Sequence, residues 1–274
     1  ELDHSDLVAK FSDNKRFTWI KRNLTPRQQY AVNKLGIPGL YFQNESKRIY
    51  PQGRLTAHIV GRAGFDDVGL SGIEKSFDSM LRDGTDPLRL SIDVRIQHIL
   101  REELQTQIDA FDGIGAAGIV MDVNSSEIVA MVSLPDFDPN RRDKISSDAM
   151  FNRATLGVYE MGSTFKIFNT AMALDYGTTT LHNGYDASKP IRVARFTIND
   201  DHAKNRWLSV PEIFMYSSNI GSVKMAMDVG GERQQAFMKK LGFLDSSAIE
   251  LPERGHPLVP NPWRPINNCW SANG

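Results

Sequence analysis

Cysteine is nearly absent. Cys269 is the only one in 274 residues, so no internal disulfide can form. That scarcity does not fix the compartment, because a lone thiol is compatible with oxidising and reducing surroundings alike. Neither sign of charge is in excess: 32 basic residues face 33 acidic ones, a formal net charge of −1. A protein that neutralises phosphates needs a basic surface, so this balance gives no case for a nucleic-acid partner. Long apolar runs are missing too. Residues 115–123 come closest, and they fall well short of the roughly 20 residues that cross a bilayer. Metal ligands are not clustered either: His182 and His202 lack ligand spacing, and no Cys/His/carboxylate group accompanies them. Glu1 stands where a methionine would, and an upstream segment that has been removed is expected.

What is present is ordinary globular composition, 41% hydrophobic and 24% charged. The length predicts two domains, or one with part of another. Residues 159–174 organise the rest: a turn with Gly162 that runs into a helix carrying Phe165, Ile167, Phe168, Ala171, Met172 and Leu174. Apolar side chains nearly all round predict a helix buried at the centre of a domain, with Gly177 as its stop. Ser163 and Lys166, three apart, share one face of its first turn. The Ser163 hydroxyl sits where unpaired N–H groups favour developing negative charge. A buried Lys166 loses hydration, so its neutral form becomes accessible, and a neutral amine beside a hydroxyl is a base beside a nucleophile. The bare spacing proves little. With 21 serines and 13 lysines, chance alone gives about one Ser-x-x-Lys pair. A second copy, Ser12-Asp13-Asn14-Lys15, lies in a polar run and reads as a solvated turn. For Ser163 and Lys166 two readings stay open: a reactive pair, or a helix N-terminus whose lysine snorkels to water.

Along the chain, Thr25-Pro26-Arg27-Gln28 has the form of a capped helix start, with an end expected before Gly36. Residues 64–84 read as loop plus one short helix near 73–81. A lone His58 reads as a hydrogen-bonded structural histidine. Residues 88–93 alternate like a strand, and Asp93 caps a helix over 94–108 with Ile96, Ile99, Leu100 and Leu104 on one face. Residues 116–123 predict a buried strand and 128–134 its hairpin partner, a sheet on which the Ser163 helix can pack. Asp122, leading into the turn, reads as structural. Residues 181–206 have no regular pattern. Ser209-Val210-Pro211-Glu212 is a capping box that opens a short helix over 211–216. Ser217-Ser218-Asn219 interrupts it before a helix over 220–229, and a further amphipathic helix covers 233–241. The Ser217 to Asn219 link is either simple capping or a polar pair presented to a cleft. From Leu251 onward, prolines with Trp263 and Trp270 predict an irregular, partly buried loop.

Ser163-Thr164-Phe165-Lys166 followed by Ser217-Ser218-Asn219 resembles the penicilloyl-serine transferase group. Arg48-Ile49-Tyr50-Pro51-Gln52-Gly53, Ala57-His58-Ile59-Val60-Gly61 and Gly69-Leu70-Ser71-Gly72-Ile73-Glu74 resemble the linker module of class B penicillin-binding proteins. Ile128-Val129-Ala130-Met131 through Asp138-Pro139-Asn140, with Asn152-Arg153-Ala154, resembles the opening of their transpeptidase domain, and residues 16–39 resemble the division-type members. The resemblance implies an α/β (α+β) fold. Residues 1–85 would form a small elongated non-catalytic module. Residues 86–274 would form a β-lactamase-like transpeptidase domain with an antiparallel sheet flanked by helices and the Ser163 helix through its middle.

The implied activity is D,D-transpeptidation of peptidoglycan stem peptides in cell-wall synthesis at division. The resemblance makes Ser163 the acylated nucleophile, Lys166 its base, Ser217 the relay to the leaving D-alanine and Asn219 a substrate-binding residue. The Ser163 N–H would form half of an oxyanion hole. It implies no cofactor and no metal. The implied partners are the D-Ala-D-Ala stem peptide, β-lactams and division proteins. An inner-membrane anchor outside this chain and a periplasmic catalytic domain are also implied. One element of the family pattern is missing, because no lysine here is followed by Thr or Ser and then Gly. The expectation is a chain cut short before that strand, which would supply the carboxylate-binding residues and the second oxyanion N–H. Ser-Thr-Phe-Lys also fits class D β-lactamases and β-lactam sensors, although their second motif usually ends in Val and they lack a module like residues 1–85. A non-catalytic scaffold is the third reading.

Overall fold

The computed structural model describes residues 4–12, 16–141, 145–193 and 196–263. Cys269, Trp270 and most of the second Ser-x-x-Lys copy, residues 13–15, lie outside them. Compactness divides the chain into two units, residues 1–112 with 119–150, and residues 113–118 with 151–274.

In the first unit, α1 (His4–Ser12) and α2 (Pro26–Asn33) come first. The expected capping box opens α2: Thr25 Oγ1 accepts the Gln28 N–H and Gln28 Oε1 accepts the Thr25 N–H. Next come α3 (Ala57–Val60), the antiparallel pair β1 (Arg62–Ala63) and β2 (Gly69–Ser71), α4 (Gly72–Ser76) and α5 (Asp78–Asp83). The single helix expected near 73–81 is thus two, broken at Phe77. The core of this unit is α6 (Val94–Phe111) laid on β4 (Ile128–Leu134), which pairs with β3 (Ala116–Met121), a strand whose first three residues fall to the second unit. A short α7 (Ser147–Met150) closes the unit.

Three expectations need correction here. Residues 88–93 form no strand; they run beside β4 through two isolated bonds, Asp93 N–H to Val129 O at 2.9 Å and Ser91 Oγ–H to Ile128 O at 2.7 Å. On α6, Ile96 and Ile99 are exposed and Gln97 takes the buried position. Its amide donates to Leu55 O and Met131 O and accepts the Met131 N–H, at 2.7–2.8 Å, so a fully satisfied polar group replaces an apolar one. β3 is only half-buried, with Ile119 and Met121 exposed, because it has a covered face and an open one. Its partner β4 packs on α6.

The second unit holds α8 (Lys166–Asp175), β5 (Gly184–Asp186), β6 (Ile191–Val193), β7 (Phe196–Ile198), β8 (Trp207–Ser209), α9 (Val210–Met215), α10 (Asn219–Val229) and α11 (Gly231–Lys240). β5 pairs with β8 and β6 with β7, both antiparallel. The irregular stretch expected over 181–206 therefore contains short strands. Among the described residues, those from 251 onward are irregular, as expected. Met172 and Ala173 of α8 share a buried cluster with Leu208, Val210, Ile213, Ile220, Met225 and Phe237. α8 is not buried all round: Ile167 and Leu174 are exposed, while Lys166 and Asn169 lie on the buried side. Gly221 lets α9 approach α10, since a Cβ there would sit 2.6 Å from Ile213 Cγ1.

Candidate active site

A sharp entry delivers Ser163 to the head of α8. Gly162 has φ +57°, a value that disfavours any Cβ. The chain then makes one 3-10 turn, Gly162–Phe165, before the α-helix begins at Lys166. The Thr164 hydroxyl donates to Met161 O and ties the turn to its approach. Ser163 stays exposed while Lys166, three residues on, is 3% exposed. Lys166 Nζ lies 3.1 Å from Ser163 Oγ.

The second wall is the link between α9 and α10. Ser209 and Glu212 form the expected capping box at the start of α9. The helix ends by wrapping its last carbonyls: the Ser217 N–H donates to Phe214 O and the Ser218 N–H to Ile213 O. Ser217 takes φ +53°, a left-handed conformation that costs a non-glycine residue about 1–2 kcal/mol. Ser218 caps α10 by accepting the Gly221 N–H at 3.0 Å. Asn219 is already helical. The left-handed turn brings two Ser217 oxygens to Lys166, the carbonyl at 2.7 Å and Oγ at 2.9 Å from Nζ. Asn219 Oδ1 is 2.6 Å from Nζ, and the Ser217 hydroxyl lies 2.9 Å from Ser163 Oγ. All four residues singled out from the sequence thus meet at one amine, although 51 and 53 positions separate Lys166 from Ser217 and Asn219.

The electrostatics follow from burial. The four oxygens around Nζ belong to two hydroxyls, a carbonyl and an amide, none of them charged. Burial lowers the Lys166 pKa, partly opposed by the negative charges of Asp200 and Asp201. A neutral amine has two N–H groups and a lone pair. The Ser217 carbonyl and Asn219 Oδ1 can only accept, and they are the nearest two oxygens, so they take the two N–H groups. The lone pair is then left to accept from a hydroxyl, that of Ser163 or that of Ser217.

Some residues of the site carry no sequence signal of their own. Asn199 O accepts Asn219 Nδ2–H at 3.0 Å, which fixes the amide with its oxygen toward Lys166. Asp200 accepts from Ser218 and from the Ile220 N–H. Asn169, one turn beyond Lys166, is fully buried and donates to Ser222 O at 2.9 Å, pinning α8 to α10. Residues 199–201 fall within the stretch 181–206, which shows no regular pattern in sequence. Two other polar residues have structural partners. Asp122 accepts the N–H groups of Asn124 and Ser125, which lower its pKa. His58 bonds Ala149 O at 2.8 Å and meets the Phe137 ring edge-on. Among the described residues no group of His, Cys, Asp and Glu could hold a metal ion, and no helix is long and apolar enough to cross a membrane.

The chain is similar to known proteins over most of its length. Residues 116–273 match the penicillin binding protein transpeptidase domain, and residues 2–107 the penicillin-binding protein dimerisation domain. The chain is 39% identical over 259 residues to the probable peptidoglycan D,D-transpeptidase FtsI of Caulobacter vibrioides, covering 93% of this chain and 44% of that protein. It is 31% identical over 290 residues to the probable peptidoglycan D,D-transpeptidase PenA of Neisseria gonorrhoeae, covering 95% and 50%. Among solved structures, apo penicillin-binding protein 3 of Mycobacterium tuberculosis superimposes with a TM-score of 0.71 at 26% identity, over 81% of this chain and 53% of that one. The chain spans about half the length of the curated relatives it matches.

Proposed function

The chain belongs to the division-type class B penicillin-binding proteins, and on that premise we propose that it carries the acylation machinery of a peptidoglycan D,D-transpeptidase. Ser163 Oγ attacks the carbonyl between the two D-alanines of a stem peptide. Its proton passes to the neutral Lys166 amine. The Ser217 hydroxyl gives a proton to the departing D-alanine nitrogen and recovers one from Lys166. An ester on Ser163 and free D-alanine result, with no net proton gained or lost. The amine of a second stem peptide then attacks the ester, regenerates Ser163 and leaves an amide cross-link. Asn219 holds the substrate's backbone amide, and the Ser163 N–H is one donor to the developing oxyanion. A penicillin acylates Ser163 by the same route through its strained amide. Within the whole protein this chemistry serves cell-wall synthesis at division, on the outer side of the inner membrane.

One observation carries the reading: Ser163 Oγ, Lys166 Nζ and Ser217 Oγ form a closed triangle with sides of 3.1, 2.9 and 2.9 Å around a buried, uncharged-partner lysine. Proton transfer along each side needs no further movement. The functional division, residues 1–85 as a non-catalytic module and 86–274 as the transpeptidase domain, belongs to the same proposal. The test is exchange of a peptide ending in D-Ala-D-Ala with a labelled D-amino acid. The account predicts incorporation that disappears in Ser163→Ala. Rapid penicillin turnover without exchange would contradict it and mark a hydrolase.

A further inference from the structure

Directly after β7, a carboxylate and a carbonyl from neighbouring residues hold three consecutive positions of the second wall. Asp200 Oδ2 accepts the Ser218 hydroxyl at 2.8 Å, and Oδ1 accepts the Ile220 N–H at 2.9 Å. Asn199 O accepts Asn219 Nδ2–H at 3.0 Å. Ser218 is 2% exposed and Ile220 2% exposed, so the Asp200 contacts lie against the packed base of α10. Neither group touches Lys166 or Ser163 by a hydrogen bond. Ser218 passes the constraint on, because its Oγ also accepts the Gly221 N–H that starts the helix. The link then enters at Ser217, whose left-handed turn has no glycine to relax it. Such a turn persists only where surrounding bonds over-determine it.

We propose that Asp200 is a positioning residue that locks the Ser217 to Asn219 link onto Lys166, and that it acts on the acylation step rather than on substrate binding. This inference rests on the transpeptidase reading above. A carboxylate suits the task because it is the one side chain here that accepts from a hydroxyl and a backbone N–H at once without offering a competing donor. It also supplies negative charge at the N-terminus of α10. Displacing the link by about 1 Å would open the triangle, a change that costs on the order of 100-fold in rate at other enzymes. Asp200→Asn keeps one acceptor and turns an amide donor onto the other partner, so it should retain part of the effect; Asp200→Ala retains none of it.

The experiment measures penicillin acylation of the full chain by stopped-flow or quenched-flow mass spectrometry in parent, Asp200→Asn and Asp200→Ala. Amide hydrogen exchange at Ile220 and Gly221 is followed in all three. The expected result is an acylation rate constant reduced about 10–100-fold in Asp200→Ala and less in Asp200→Asn, with non-covalent affinity within about threefold, and faster exchange at Ile220 in the same order. An affinity loss that accounts for the whole effect overturns the proposal, as does an unchanged rate constant with Ser163 still acylated. If the parent itself is not acylated, the transpeptidase reading fails, and exchange then judges Asp200 alone. In that case exchange at Ile220 and Gly221 that is unchanged in Asp200→Ala overturns the clamp, and faster exchange upholds the clamp.

Discussion

At the scale of single residues, the proposed chemistry turns on one amine. Lys166 is buried among uncharged oxygens, and that burial lowers its pKa. A lysine whose folded-state pKa is depressed is neutral over a pH range where an exposed lysine is charged. Acylation should therefore climb as pH rises through the lowered Lys166 pKa and level off above it. Lys166→Arg, which cannot give up its proton near neutral pH, should lose about 10²–10⁴-fold in rate at every pH and show no such limb. A parent profile that is flat in pH, or an arginine variant with parent-like rates, would remove Lys166 from the role of base. Ser163, Lys166, Ser217 and Asn219 were singled out in the sequence because their two short motifs together resemble a known family, where spacing alone left a structural reading open. Asn169, Asn199 and Asp200 were not, because their roles exist only once β7, α8 and α10 have been brought together.

At the scale of elements, local chemistry was readable and tertiary choice was not. The capping boxes at Thr25 and Ser209 formed where the four-residue pattern placed them, since such a cap needs nothing beyond its own turn. The face of α6 was misread, because periodicity counts Ile96 and Ile99 as core and cannot foresee that Gln97 satisfies three backbone groups at the interface with β4. Strands of three residues, such as β6 and β7, are too short to alternate visibly. The α9 cap gives a prediction. Ser209→Ala should destabilise the chain by about 1 kcal/mol in urea unfolding at neutral pH. Glu212, held by Arg206 and then by Ser209, has its pKa lowered from 4.5 to about 2. A depressed carboxylate stabilises above its unfolded-state pKa, and that contribution is lost as pH falls toward the folded value. Replacing Glu212 by Gln should therefore lower stability at pH 6 and make little difference near pH 2. An equal loss at both values would contradict the assignment.

At the scale of the whole molecule, the first unit is not contiguous in sequence. Residues 119–150 return to residues 1–112 and supply β4 beneath α6. They also bring Met131 to Gln97, Asp136 to Arg101 at 2.7 Å and Asn140 to Tyr50 at 3.0 Å. A fragment of residues 1–150 should unfold cooperatively in urea, whereas one of residues 1–112 should not, having lost the covered face of α6. Equal cooperativity in the two fragments would show that β4 is dispensable to the unit. For the second unit the most direct test of the central claim is the mass of the intact chain after incubation with benzylpenicillin, measured beside Ser163→Ala. The account predicts a gain of one antibiotic molecule, mapped to the peptide holding Ser163 and absent from the variant. No gain in the parent, or the same gain in Ser163→Ala, would contradict it.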